Sequence, residues 1–445
     1  MNRSQDLVRQ VLEIVGSRAE VGVYVRTGTS ALTRFANSFI HQNVSDDVAY
    51  VHVTLATNGK LASGSTTSTT ATNLRELVDR LIAVANVQTV DETFPGFGGP
   101  VATPAIEHWD AETSEADPGA RAQKVKEFVD AGGGLLGAGM CSVDSYVDAY
   151  GNTAEREITG RMTRVILDGI HQTGESAGSG HSSGISVDAI DAIGAGQLAG
   201  HRARRGVSAF DTKPGRYEVV LSPDAMATIA QFLSGYGFSG KNVTEGMSFV
   251  ELGEDRFDPS VSLTDDVASG RALGMPFDGE GTPRARVPLI DTGTNAGILH
   301  DRTTGKKAGA PSTGHAPVSD ESWENKPDGR NLVFEAGNLA EEQLIGQVER
   351  GIYVSTFNYC RVLDPKTIVV TGLTRNGTFM IENGVLTDPV TNLRFTQSFI
   401  DALGPDQVLG IGADARFAAG EEDPATVNSP SFHLASWNFT GGAEG

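Results

Sequence analysis

Two Gly-x-Ser-x-Gly patterns stand close together in the chain, Gly174-Glu-Ser176-Ala-Gly178 and Gly180-His-Ser182-Ser-Gly184. In a serine hydrolase this pattern holds one strained Ser where a strand turns into a helix, with an Asp and a His arriving later in the chain. Here both copies share one Gly/Ser-rich run, too slack to strain a single residue, so the run reads as a flexible loop. Gly132-x-Gly134-x-x-Gly137 has the spacing of a dinucleotide fingerprint. That fingerprint follows a strand and opens a helix, whereas this one follows a helical pattern and opens a strand, so it reads as a helix end and turn. The nine histidines include no His-x-x-x-His pair. His171 and His181 flank the Ser-rich run, and His315 sits in the turn Ser312-Thr-Gly-His315. Asp265, Asp266, Asp278 and Glu280 have the chemistry of general acid–base groups. Asp278-Gly-Glu280-Gly281 is also an ordinary turn closed by Asx-type hydrogen bonds. Asp278, Glu280 and His315 are therefore read as substrate-channel or structural turn residues.

The elements that must position these groups follow from periodicity. Leu7, Val8, Val11, Leu12 and Val15 have helical spacing, and strand-like alternation follows at Val21–Arg26, 31–43 and 48–55. Asn58-Gly59 marks a hairpin turn, since both residues tolerate positive φ. An amphipathic helix is predicted at about 73–87, with Asn73 and Glu76 as a capping box. Residues 89–119 lose periodicity and read as a long surface connection. A helix at 120–131, strands at about 135–150 and 155–171 joined at Gly151-Asn152, and a helix at about 187–204 complete the first half. The rest is mostly strand, with helical signals at 339–349 and 397–403, a loop-like stretch at 404–430 and a final strand at 431–440. The expected class is α+β: an N-terminal α/β-layered domain (1–210) and a mostly antiparallel β C-terminal domain (211–445).

One stretch links the halves. Tyr217–Leu221 reads as a strand, and Ser222-Pro223-Asp224 opens a helix with a good N-cap, a Pro at the first position and an acid at the positive end of the dipole. Ala225, Met226, Ile229, Ala230 and Leu233 form an apolar stripe, and Gly235 and Gly237 are expected to end the helix. Leu221–Tyr236 resembles the strand, Leu-x-Pro and helix of the TldD/PmbA peptidase family. Further stretches carry the likeness in order: Gly246-Met-Ser-Phe249, Leu263-Thr-Asp-Asp266, Pro276–Pro283, Ser312–His315, Gly351–Val354 and Ile381–Gly384. In the catalytic members of that family the helix carries His-Glu-x-x-x-His. Laid on this chain without a gap, the three positions fall on Gln231, Phe232 and Tyr236. Residues five apart on an ideal helix differ by roughly 140°, so a break between them is expected at Gly235.

The resemblance therefore implies the PmbA (TldE)-like branch, with a pseudo-active site at Gln231, Phe232 and Tyr236 and no catalytic or metal residue. No cysteine follows Cys360, so the cysteine that completes the zinc site of catalytic members is missing as well. It implies a non-catalytic subunit of a zinc metallopeptidase complex acting on small unfolded peptides, with zinc held only by a TldD-like partner chain, and a heterodimer or homodimer. Two alternatives stand beside it: a stand-alone peptide-binding or modulator protein, and an independent hydrolase using the Ser-rich loop.

Bulk properties agree with a globular protein: 445 residues, 39% hydrophobic and 20% charged. A net charge of −21 argues against nucleic acid and anionic membranes as partners. The first residues show no long apolar run, no stretch approaches a membrane span, and Cys141 and Cys360 form no CxxC. A cytoplasmic location is expected.

Overall fold

The computed structural model describes residues 2–318, 325–421 and 427–442. The chain is an α+β protein with three sheets. The first is wholly antiparallel and contains β1 (Glu20–Ala36), β2 (Phe39–Thr57), β3 (Lys60–Thr66), β4 (Leu136–Asn152), β5 (Glu157–Gln172) and β6 (Ala177–Gly184), in the order β3-β2-β1-β4-β5-β6. Alternation gives it two unlike faces. Odd-numbered Val21, Val23, Val25, Val51 and Val53 pack beneath α1 (Arg3–Val15) and α2 (Ala71–Val87). Val143, Val165 and Leu167 pack beneath α4 (Pro118–Ala131) and α5 (Ala192–Arg205). The even-numbered face carries Tyr24, Arg26, Asp144, Tyr146, Asp148 and Arg164 and looks toward the C-terminal half, where Phe277 meets Tyr24 edge-on at 6.4 Å.

Several local expectations change. The strands around residue 37 are two long arms of one hairpin, turned at Asn37 and Ser38, which both take left-handed φ of 50° and 65°. Thr70, not Asn73, caps α2 by accepting from Asn73 N at 3.3 Å. Gly151 and Asn152 end β4, and the turn lies beyond them: Asn152 Oδ1 accepts from Ala154 N and Arg156 N at 2.9 and 3.0 Å. The Ser-rich run is not a loop: residues 177–184 form the edge strand β6. Its glycines let α5 lie directly on it. A Cβ at Gly178 would stand 2.2 Å from Ala199 O, and one at Gly180 would stand 2.0 Å from Ala195 O. Helix α5 begins only at Ala192, where Asp191 accepts from Gly194 N at 2.8 Å. The connection after α2 carries a short helix, α3 (Ala111–Ser114), and is pinned to the C-terminal half. Arg302 Nη2 donates to Gly96 O (3.1 Å), and Lys306 Nζ donates to Glu92 O and Phe94 O (2.8 and 3.0 Å).

In the C-terminal half, β7 (Gly215–Leu221) pairs with 350–364 on one side and 432–442 on the other. The chain of pairings continues through 393–398 and 369–382 back to 350–364, closing a five-stranded barrel. Phe357, Phe395 and Trp437 fill its core with centroids 4.7–5.3 Å apart. The third sheet holds six short strands. Two of them, 416–418 and 427–429, lie where a loop-like tail was expected, as does 408–411 on the barrel. The predicted helices near 340 and 400 shorten to Glu341–Gly346 and Phe399–Ala402, and helices Gly240–Thr244 and Arg302–Ala308 are additions. Among the described residues no helix is long and apolar enough to cross a membrane.

Candidate functional site

Strand β7 leads into helix α6 (Pro223–Phe232), which lies between the barrel and the third sheet with all ten residues buried. Ser222 does not cap it through its side chain; its hydroxyl donates to Ser355 O instead. The helix neither ends nor breaks at Gly235. It widens into a π-helix, Leu233–Phe238. Bonding from i to i+5 adds one residue to the turn, so residues five apart return to the same side. A motif of two ligands five apart thus needs a wide turn, not a break. Gly237 permits it, since a Cβ there would stand 2.4 Å from the Phe249 ring. Asn242 Nδ2 secures it by donating to Gly235 O and Tyr236 O at 3.2 and 2.9 Å.

The side chains on this turn do not fit zinc. Gln231 is buried, with its amide against Gly420, where a Cβ would lie 2.3 Å from Oε1. Phe232 is 3% exposed, and its ring stands 5.7 Å from those of both Phe399 and Tyr236. Phe399 in turn meets Trp437 at 5.8 Å, so Phe232 extends the aromatic core of the barrel. Lys326 Nζ lies 4.4 Å above the Tyr236 ring. An amide, a phenyl and a phenol supply neither the usual zinc donors nor a carboxylate base. Cys360 is buried, and burial pushes its thiol pKa well up, away from a thiolate ligand. Among the described residues no three His, Cys, Asp or Glu side chains are grouped to hold a metal ion.

The acidic turn divides into two roles. Asp278 Oδ1 accepts from Glu280 N and Thr282 N (2.9 and 2.8 Å), and Oδ2 accepts from Ala316 N (2.8 Å). Burial raises the Asp278 pKa, and the three main-chain donors and Arg284 offset only part of that rise. Glu280 is raised as well: burial, then Asp278 and Asp301, push its pKa up to about 8. His315 is fully buried, with Nε2 3.1 Å from Asp265 Oδ1. Asp265 Oδ2 accepts from Arg330 N and Asn331 N at 2.7 and 2.8 Å. Burial raises the Asp265 pKa, but His315, Arg284 and these donors outweigh it and leave it low.

The serines are structurally engaged. Ser176 Oγ donates to Ala203 O, and Ser182 Oγ accepts from Asp191 N at 3.0 Å. Ser183 Oγ lies 3.1 Å from His181 Nε2, and His181 Nδ1 lies 4.0 Å from Asp168 Oδ1. The order of atoms is that of a Ser-His-Asp triad, but 4.0 Å is too long for the orienting hydrogen bond. Ser183 also sits within an edge strand and not on an elbow.

A cavity of about 1010 Å³ separates the even-numbered sheet face from the C-terminal half. His315 and Lys326 line it; Gln231, Phe232, Tyr236, Asp278 and Glu280 do not. The six singled-out residues therefore do not form one constellation. Sequence reasoning missed the cavity's main polar wall, Arg26, Tyr146, Arg164 and Arg284. The signal was present in the alternation Asp144-x-Tyr146-x-Asp148-x-Tyr150, which gives one sheet face to polar and aromatic groups.

Comparisons with known proteins bear on this geometry. Residues 214–441, just over half of the chain, match the PmbA/TldA metallopeptidase C-terminal domain. A protein of Methanothermobacter thermautotrophicus named a metalloprotease is 24% identical over 222 residues, 49% of this chain and 47% of that protein. A metalloprotease TldD homolog of Buchnera aphidicola is 22% identical over 246 residues, 53% of this chain and 50% of that protein. The chain thus spans about half the length of these relatives in the match. The crystal structure of TldE from Thermococcus kodakarensis superposes with a TM-score of 0.85 at 17% identity, covering 98% of this chain and 99% of that one. That likeness is one of fold.

Proposed function

The chain belongs to the TldD/PmbA metallopeptidase family, and from that premise we propose that it is a non-catalytic, TldE-like subunit of a peptidase complex. One observation carries the reading. The wide turn that would bring two ligands together is built, while the groups on it are Gln231, Phe232 and Tyr236, with Phe232 committed to the aromatic core. The scaffold of the site persists without its chemistry. Zinc and the hydrolytic step then belong to a TldD-like partner chain, and this chain supplies a wall of the chamber that receives short unfolded peptides.

Co-purification from the native cell tests this. The complex is expected to contain a second, zinc-bearing family member and to cleave unfolded peptides, while each chain alone is inactive. The complex should also spare a stable folded domain that it degrades once denatured. Recovery of this chain only as a homodimer with full peptidase activity would refute the proposal. The hydrolase alternative gains nothing from Ser176 and Ser182, whose hydroxyls hold α5 in place.

A further inference from the structure

The cavity between the halves is lined by more cations than acids, the reverse of the balance in the chain as a whole. Acidic residues outnumber Lys and Arg 56 to 35 overall. Around the cavity six cations (Arg3, Arg26, Arg164, Arg284, Lys326, Arg330) face two acids (Asp47, Asp328). The nearby carboxylates are spent. Asp148, fully buried, takes Arg26 Nε and Nη2 at 2.9 and 2.7 Å together with the Tyr24 hydroxyl. Asp265 takes His315 and two main-chain donors, and Asp278 takes three.

Arg3 pairs with Asp47 and Arg164 with Asp144, but two of the cations keep unused donors. Arg26 Nη1 has no partner among the described residues. Arg284 uses only Nη1, on Gly314 O at 3.1 Å, leaving Nε and Nη2 unengaged among them. Arg26 comes from the first sheet, its guanidinium held 4.8 Å above the Tyr146 ring, and Arg284 comes from the C-terminal half. Two forks with unused N–H groups thus open on one space, each held in place by neighbours. Planar guanidinium forks match carboxylate geometry. The surrounding Tyr50, Tyr146, Met275 and Phe277 offer apolar and aromatic surface for the body of a peptide.

We propose that this cavity selects anionic peptides, seating a substrate carboxylate, from an Asp or Glu side chain or the C-terminus, between Arg26 and Arg284. The proposal rests on the peptide-handling reading above and adds the substrate class to it. Burial pulls the Arg284 pKa down against the pull of Asp265 and Asp278, so an incoming anion relieves a desolvated cation.

The test is binding of labelled extended hexapeptides to the full chain, followed by fluorescence anisotropy. One peptide carries Glu with an amidated end, one carries Gln with a free C-terminus, one carries Gln with an amidated end, and one carries Lys with an amidated end. At least one of the first two should bind about tenfold or more tighter than the third, the scale of a charge-assisted hydrogen bond, and the Lys peptide weakest. Which of the two wins identifies side chain or terminus. The preference should shrink as salt rises from about 0.05 to about 0.5 M. Arg284→Gln should remove most of it, and Arg284→Lys should keep part. Should Arg284→Gln unfold, the ranking and salt dependence of the parent decide. Equal affinity for the first three peptides overturns the anion proposal and leaves the peptide-handling reading standing. No binding of any peptide, to the chain or to its complex, overturns both.

Discussion

Arg416 clasps Asp224 in a two-pronged ion pair, Nη1 to Oδ1 at 2.9 Å and Nη2 to Oδ2 at 2.8 Å. Asp224 lies in the first turn of α6, and Arg202 of α5 approaches it from the other half of the chain at 3.9 Å. Arg202 also reaches Tyr353, whose hydroxyl donates to Glu341. The start of α6 is therefore anchored to both halves by one buried polar network.

Arg416→Ala leaves Asp224 buried with the Ala419 N–H (2.9 Å) and the longer Arg202 contact, and should cost ~2–4 kcal/mol of stability, read by urea denaturation at pH 7. Burial alone would raise the Asp224 pKa, but Arg416, Arg202 and His181 hold it at about 2. A depressed carboxylate stabilises the fold above its unfolded value and loses that contribution as pH falls through the folded one. The gap between parent and variant should thus narrow between about pH 4 and pH 2. A gap constant over that range would contradict the assignment.

Glu280 has the opposite sign. Its pKa rises to about 8, so the fold binds the proton more tightly than the unfolded chain does. Its contribution is complete below about pH 4.5 and declines as pH rises through 8. Glu280→Gln mimics the protonated acid and keeps an oxygen for Arg302 N, now 2.9 Å away. The variant should match the parent near pH 5 and exceed it near pH 9 by on the order of 2–4 kcal/mol. Thermal midpoints across that range test it, and parallel curves would contradict it.

In β6, Gly180→Ala should destabilise by ~2–3 kcal/mol by driving a Cβ into Ala195 O. Ser176→Ala, Ser182→Ala and Ser183→Ala should each leave the activity of the assembled complex within a fewfold. A loss of about a thousandfold from any of them, the scale of removing a nucleophile, would reinstate the serine hydrolase alternative.

These elements also show what the sequence made legible. The α+β class, the Asn58-Gly59 turn and the strand-to-helix entry at Ser222-Pro223 are local signals, fixed by alternation and capping chemistry. The π turn is not local: Gly235 and Gly237 read equally as a helix stop, and Asn242 and Phe249 decide between the two. Gly178 and Gly180 likewise resemble a loop until α5 is laid across them. The cavity cations were hidden because Arg26 and Arg284 are 258 positions apart and meet only when the halves pack.

Restoring the motif by Gln231→His, Phe232→Glu and Tyr236→His should not restore the enzyme. Phe232 sits among Phe399, Tyr236 and the barrel core, so a carboxylate there costs several kcal/mol or takes up a proton. Two imidazoles remain one ligand short of a three-ligand site. The triple variant should melt earlier than the parent, bind zinc weakly and hydrolyse nothing alone. Tight zinc with hydrolysis would reveal a third protein ligand elsewhere in the fold.

Whether this chain keeps the scaffold of a zinc site without its chemistry is decided by elemental analysis of the purified chain after mild chelation. Well under one zinc per chain is expected, with the metal of the native complex found in the partner. One tightly held zinc per isolated chain would contradict it.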